Sequence, residues 1–184
     1  MAKVRVGVIG AGSWALASHL PNLAKHDDIE FVGVSRKGPE ILDKVAKQYG
    51  FKVASEDYRD VLNAGIDVCV IGSPTGLHHE HAKAALEAGA HVMCEKPVTI
   101  DPADAWEIDE VAKKVGKELI ISFGWNYMPM MREAKELMEK LEKDGDIGKD
   151  DLARGEKELE KVTSEHVTKI DELLKHKEAE LLEV

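Results

Sequence analysis

Val4-Arg5-Val6-Gly7-Val8-Ile9, running directly into Gly10-Ala11-Gly12-Ser13-Trp14-Ala15, is the stretch on which the fold turns. The first half is a short apolar, β-branched run of strand type. The glycine pair then marks a tight turn, and Ser13–Lys25 repeats apolar positions at helical spacing. Gly10 permits the turn, Gly12 leaves room for a ligand to approach the backbone, and Ala15 is small enough for the new helix to pack on the strand. That order of elements is the G-x-G-x-x-A form of the dinucleotide fingerprint, in which the helix N-terminus offers amide donors to a pyrophosphate.

The alternation continues outward from this turn. Strands are predicted at Ile29–Ser35, Lys52–Ala54, Asp67–Gly72, His91–Cys94 and Glu118–Ser122. Between them lie predicted helices at Pro39–Tyr49, Asp57–Asn63, Leu77–Ala88 and Pro102–Val115. Strands alternating with helices through short loops give a parallel sheet covered on both faces, a doubly wound α/β domain. The nearly unbroken apolar run at Asp67–Gly72 suits a strand buried on both sides.

Composition divides the chain. Charged residues fill 32 of the first 130 positions and 28 of the remaining 54, and no proline follows Pro129. Such a shift marks a change from a turn-rich domain to solvated helices, so residues 1–128 form the dinucleotide-binding domain and residues 129–184 a helical tail. Met131–Lys143 and Asp150–Leu182 are predicted helices, joined through Asp144-Gly145-Asp146-Ile147-Gly148 as a C-terminal hairpin. The 184 residues carry a net charge of −10, which argues against a nucleic-acid partner. No apolar run is long enough for a membrane span, and no secretory leader is evident. Cys69 and Cys94 lie in apolar strands and read as reduced core thiols of a cytoplasmic protein.

The end of the second strand selects the nucleotide. Val34-Ser35-Arg36-Lys37 offers a hydroxyl and two cations where an NAD-selective site carries a carboxylate for the ribose 2′-hydroxyl. Charge-assisted hydrogen bonds from Ser35, Arg36 and Lys37 suit a 2′-phosphate, so the cofactor expected is NADP, with NAD the alternative. His78-His79-Glu80-His81 has a zinc-like spacing at a helix start, but no partner ligands stand at a matching distance, and no metal is assigned.

Cys94-Glu95-Lys96-Pro97 after one apolar strand, with Ser73-Pro74-Thr75 and His78 after the preceding one, resembles the Gfo/Idh/MocA oxidoreductases over about residues 3–140. The resemblance implies a Rossmann domain holding NAD(P), with Lys96 as the catalytic residue beside the nicotinamide and the substrate hydroxyl. It also implies that Gly10, Gly12, Ser13, Trp14, Ser73, Pro74 and His78 line the cofactor. Glu95 would approach the nicotinamide ribose, and Trp125 and Asn126 would close over the ring. Partial burial would turn Lys96 into a proton relay, or leave it cationic to orient an alcohol oxygen. Pro97 is a candidate for a cis peptide bond.

The tail resembles a different family. Lys143-Asp144-Gly145-Asp146-Ile147-Gly148-Lys149-Asp150-Asp151 and the closing run from Ile170 to Val184 are similar to the C-terminal helices of bacterial ribosome recycling factor. A complete oxidoreductase of the first family continues into a substrate domain, so the chain reads as a chimera, spliced near Met131–Asp146. Its implied function is nicotinamide-cofactor binding with weak or absent turnover. The alternative is a ribosome-associated fragment acting through the tail. Two helices of a three-helix bundle leave an apolar stripe open, to be covered by packing on the Rossmann sheet, by standing in for a helix of the first family, or by self-association into a homo-oligomer.

Overall fold

A single apolar strand explains the centre of the molecule. In the computed structural model, which describes residues 2–124, 128–162 and 164–165, β1 (Val4–Ile9) has Val6, Val8 and Ile9 essentially without solvent exposure. Around it lie β2 (Ile29–Ser35), β3 (Val53–Ser55), β4 (Val68–Ile71), β5 (His91–Cys94) and β6 (Leu119–Ile121). All pair in parallel, in the order β3-β2-β1-β4-β5-β6. The expected doubly wound sheet is therefore present, with strand boundaries shifted by a residue or so.

Helices cover both faces. α1 (Leu20–Leu23) and α2 (Pro39–Tyr49) supply Leu20, Leu42 and Val45 to a core shared with Val8, Val34 and Val70. On the opposite face, α3 (Tyr58–Asn63), α4 (His78–Glu87) and α5 (Pro102–Val115) bring Val61, Leu86 and Ile108 against Ile9, Cys69 and Ile71. Neighbouring β4 residues thus divide between the two cores, as the period of two along a strand requires. Asp57 and Asp101 cap α3 and α5 by accepting the Arg59 and Ala103 amides. Both cysteines are buried and free, and burial raises both thiols, Cys94 to about 12.

The predicted helix after the glycine turn has a feature the periodicity does not announce. Ala15–His19 forms a π-helical turn before α1, closed by the Leu20 amide on the Ala15 carbonyl.

The chain divides into two compact units, Met1–Phe123 and Gly124–Val184. In the second, α6 (Pro129–Asp144) ends in a turn where the Asp146 amide bonds to the Leu141 carbonyl, and residues 149–162 are helical. A Cβ on Gly155 would lie 2.7 Å from the Met138 sulfur, so the two helices pack closely as a hairpin. The rest of the expected second helix lies outside the described residues. Among the described residues no helix is long and apolar enough to cross a membrane.

Gly7 shows how tightly α3 sits on the sheet: a Cβ there would lie 2.7 Å from Ile66 Cδ1 and 2.8 Å from Val61 Cγ1. Gly7→Ala is expected to cost about 1–3 kcal/mol by overpacking, read from the urea midpoint. An unchanged midpoint would mean that α3 moves aside freely.

Candidate functional site

The chain crosses the sheet in opposite directions from β1 and β4, which leaves a crevice beyond their C-terminal ends. Gly10 sits at its floor with φ +85, and a Cβ there would lie 2.2 Å from the Ser73 amide nitrogen. The Gly10 and Ala11 amides donate to the Ser35 carbonyl at 2.9 and 3.1 Å, tying the turn to β2. Leu16 N–H returns to the Gly12 carbonyl at 3.0 Å, so a helix opens immediately after the turn, with first-turn amides facing away from its own carbonyls.

Gly12 is different from Gly10. A Cβ on Gly12 would meet nothing nearer than the Gly10 and Gly72 oxygens at 3.9 Å, so protein packing does not demand glycine there. The space a side chain would fill lies at the turn where the fingerprint places a pyrophosphate. Ala15, by contrast, is buried, and a Cβ on Gly72 would stand 3.7 Å from its methyl group.

Two cavities meet at Ser73 and Pro74. One, of about 320 Å³, has Gly10, Ser35, Arg36, Lys37 and Arg59 on its walls. The other, of about 340 Å³, is lined by Trp14, Ser73, Pro74, His78, Glu95 and Lys96. Ser13 lies on the exposed first helical turn and lines neither. Trp125 and Asn126 fall outside the described residues.

In the first cavity the cations are already oriented. Arg36 Nη1 donates to the Ala11 carbonyl at 3.2 Å, and its Nε to the Lys37 carbonyl at 3.1 Å. Lys37 Nζ reaches the Glu56 carbonyl, while the Glu56 carboxylate takes the Gly38 amide at 2.6 Å. The Arg59 guanidinium hydrogen-bonds Asp57 through its side chain and holds that carboxyl down at about 2. Glu56 and Asp57, from the β3–α3 loop, and Arg59, from the first turn of α3, were not singled out from the sequence, because the strand order brings them to this wall.

In the second cavity the carboxylate of Glu95 is the hub. Its Oε1 accepts the Trp14 indole N–H at 2.9 Å and lies 2.7 Å from His19 Nε2. Its Oε2 accepts the Lys96 amide at 3.1 Å. Burial would raise this carboxyl, but hydrogen bonds from Ser122, His19, Lys96 and Trp14 outweigh it and leave the group below its ordinary value. Lys96 itself is exposed, two residues past the end of β5 at Cys94, and lies on the wall of this cavity. The Lys96–Pro97 bond is cis, as expected.

The histidines are engaged within the protein. His78, 1% exposed, sets one ring nitrogen 2.7 Å from the Ser73 carbonyl and the other 2.9 Å from the Pro97 carbonyl, bridging the loops after β4 and β5. His81 Nδ1 lies 2.9 Å from Ser73 Oγ, and burial lowers its pKa. Another donor group, His79, Asp104 and Glu107, gathers on α4 and α5, where Lys83 and His79 both bind Glu107.

A doubly wound sheet with a glycine-turned helix at its switch point defines the dinucleotide-binding class of domain. Residues 4–123 match the oxidoreductase family with an NAD-binding Rossmann fold, and the chain belongs to that family. D-glucoside 3-dehydrogenase of Escherichia coli (strain K12) is 38% identical over 121 residues, 65% of this chain and 34% of that protein. The structure of scyllo-inositol dehydrogenase from Lactobacillus casei with bound NAD(H) and scyllo-inositol superposes with a TM-score of 0.71 at 27% identity. It covers 76% of this chain and 42% of its own. A 3-ketoreductase from Actinomadura kijaniata in complex with NADP and TDP-benzene gives 0.68 at 28% identity, over 75% and 42%. The chain thus spans well under half the length of these relatives.

Residues 107–182 match ribosome recycling factor. The factor from Acidothermus cellulolyticus is 60% identical over 53 residues, 29% of each chain. The two matches overlap at residues 107–123.

Because the folded-state pKa of Glu95 is depressed, its contribution to stability is present above the unfolded value near 4.5 and is lost as pH falls through the folded one. Glu95→Gln is expected to flatten that acidic limb of a plot of stability against pH, while lowering stability at pH 7. Parallel curves for both proteins would show that the hub contributes nothing through its charge.

Proposed function

We propose that residues 4–123 bind NADP(H) in preference to NAD(H), and that Lys96 is the group that meets the substrate oxygen. The observation that carries this reading is a pair of cavities that share Ser73 and Pro74, one with Gly10, Ser35, Arg36 and Lys37 on its walls and the other with Lys96. Ser35 and the two cations would take a 2′-phosphate through charge-assisted bonds. The Gly12 space and the first helical amides would take the pyrophosphate. The nicotinamide, when bound, supplies the carbon that accepts or gives a hydride. Lys96 orients the substrate oxygen and holds or moves its proton. Hydride transfer also requires a substrate carbon held in near-attack geometry. Residues 4–123 supply the cofactor half of that geometry, and cofactor binding is the activity proposed for them.

Titration of the tryptophan emission with NADPH and NADH tests the reading. NADPH is expected to bind at least about tenfold more tightly, a difference of about 1.4 kcal/mol, and Arg36→Ala with Lys37→Ala to abolish the gap. Equal affinities in the parent would overturn the NADP preference, and no binding of either would overturn the function.

The glycines give a second check. Gly12→Val should fold normally yet bind either nucleotide at least about tenfold more weakly. Gly10→Ala should instead lower stability by more than about 2 kcal/mol, through a clash at positive φ. Tight binding by the Gly12 variant would place the pyrophosphate elsewhere.

The recycling-factor match favours a second reading, in which the tail associates with ribosomes. With its net charge of −10, the chain is expected to remain in the supernatant when ribosomes are pelleted at physiological salt. Co-pelleting at that salt would support the second reading.

A further inference from the structure

The π-turn at Ala15–His19 lies between the glycine turn and the Glu95 hub, and nothing in the fingerprint requires it. Its consequence is geometric. At 3.6 residues per turn, positions five apart point about 140° away from each other around a helix. Trp14 and His19 are five apart, yet both reach the same oxygen, Glu95 Oε1, at 2.9 and 2.7 Å. The wider turn, closed by the Leu20 amide on the Ala15 carbonyl, provides the extra residue that brings the two side chains onto one side.

His19 and Glu95 are both buried, 8% and 9% exposed, whereas Trp14 is 58% exposed over the cleft. An ionised Glu95 only accepts hydrogen bonds, so His19 Nε2 carries the proton of this contact. With Oε1 on His19 and Trp14 and Oε2 on the Lys96 amide, both carboxylate oxygens are engaged. One buried contact therefore sets both the indole over the helix N-terminus and the backbone that carries Lys96.

We propose that His19 is a positioning residue: acting through Glu95, it holds Trp14 and Lys96 in the arrangement that receives the nicotinamide half of the cofactor. The inference deepens the dinucleotide reading and rests on it for its ligand, but not for its effect on Trp14. It involves no part of the cavity around Ser35, Arg36 and Lys37, which lies on the other side of Ser73 and Pro74. Losing His19 should therefore affect the two halves of a dinucleotide unequally.

The test uses the whole chain with His19→Ala and His19→Gln. The indole ¹H–¹⁵N resonance of Trp14 is assigned by its disappearance in Trp14→Phe and followed in each variant. Titrations with NADPH and with 2′,5′-ADP, which lacks the nicotinamide half, run alongside. His19→Ala is expected to shift the Trp14 resonance and weaken NADPH about tenfold, while 2′,5′-ADP stays within about twofold. His19→Gln, whose carboxamide still donates, should restore most of both. An unmoved indole resonance, or equal losses for the two ligands, would overturn the proposal. Should the parent protein bind neither ligand, the cofactor reading fails, and the indole shift with its recovery in His19→Gln decides the role of His19 alone.

Discussion

The backbone of Gly10 runs so close to that of Ser73 that no side chain fits between them. This approach joins the ends of β1 and β4, where the chain reverses its direction of travel across the sheet. The crevice exists because the helices following these two strands lie on opposite faces. The floor of the crevice is Gly10, and its two cavities share Ser73 and Pro74 as their common wall. His78 then anchors Ser73 to Pro97, so the turn that carries Lys96 is referenced to the same contact.

Charge is distributed along the crevice with a consistent logic. At one end the cations outnumber the carboxylates available to them, since Asp57 is committed to Arg59 and Glu56 to the Gly38 amide. At the other end a single buried carboxylate is surrounded by donors, which keep it ionised. A carboxylate in such a position is costly to bury unless every oxygen is satisfied, and here both are. Among the described residues no buried side-chain nitrogen or oxygen lacks a partner.

The tail obeys a different physics. Its helices are highly charged and join through a glycine turn, and Gly155 lets them approach at Met138. The overlap of the two family matches falls on α5 and β6, residues 107–123. Within it, Ile108, Val111, Ala112 and Val115 repeat at the spacing of any amphipathic helix, so this segment satisfies the pattern of a helical family as readily as that of an α/β domain.

The sequence by itself determined the strand–helix alternation, the glycine turn, the cationic end of β2 and the Glu95-Lys96-Pro97 turn. Each depends on local periodicity or on the chemistry of a few adjacent residues, and both are written along the chain. Only the tertiary structure decided that Arg59 shares a cavity with Arg36, that Lys96 stands exposed, and that His19 meets Glu95. Those contacts join residues far apart in sequence through the strand order. The last also depends on a π-turn, a change of hydrogen-bond partner within a helix that leaves no mark on hydrophobic spacing.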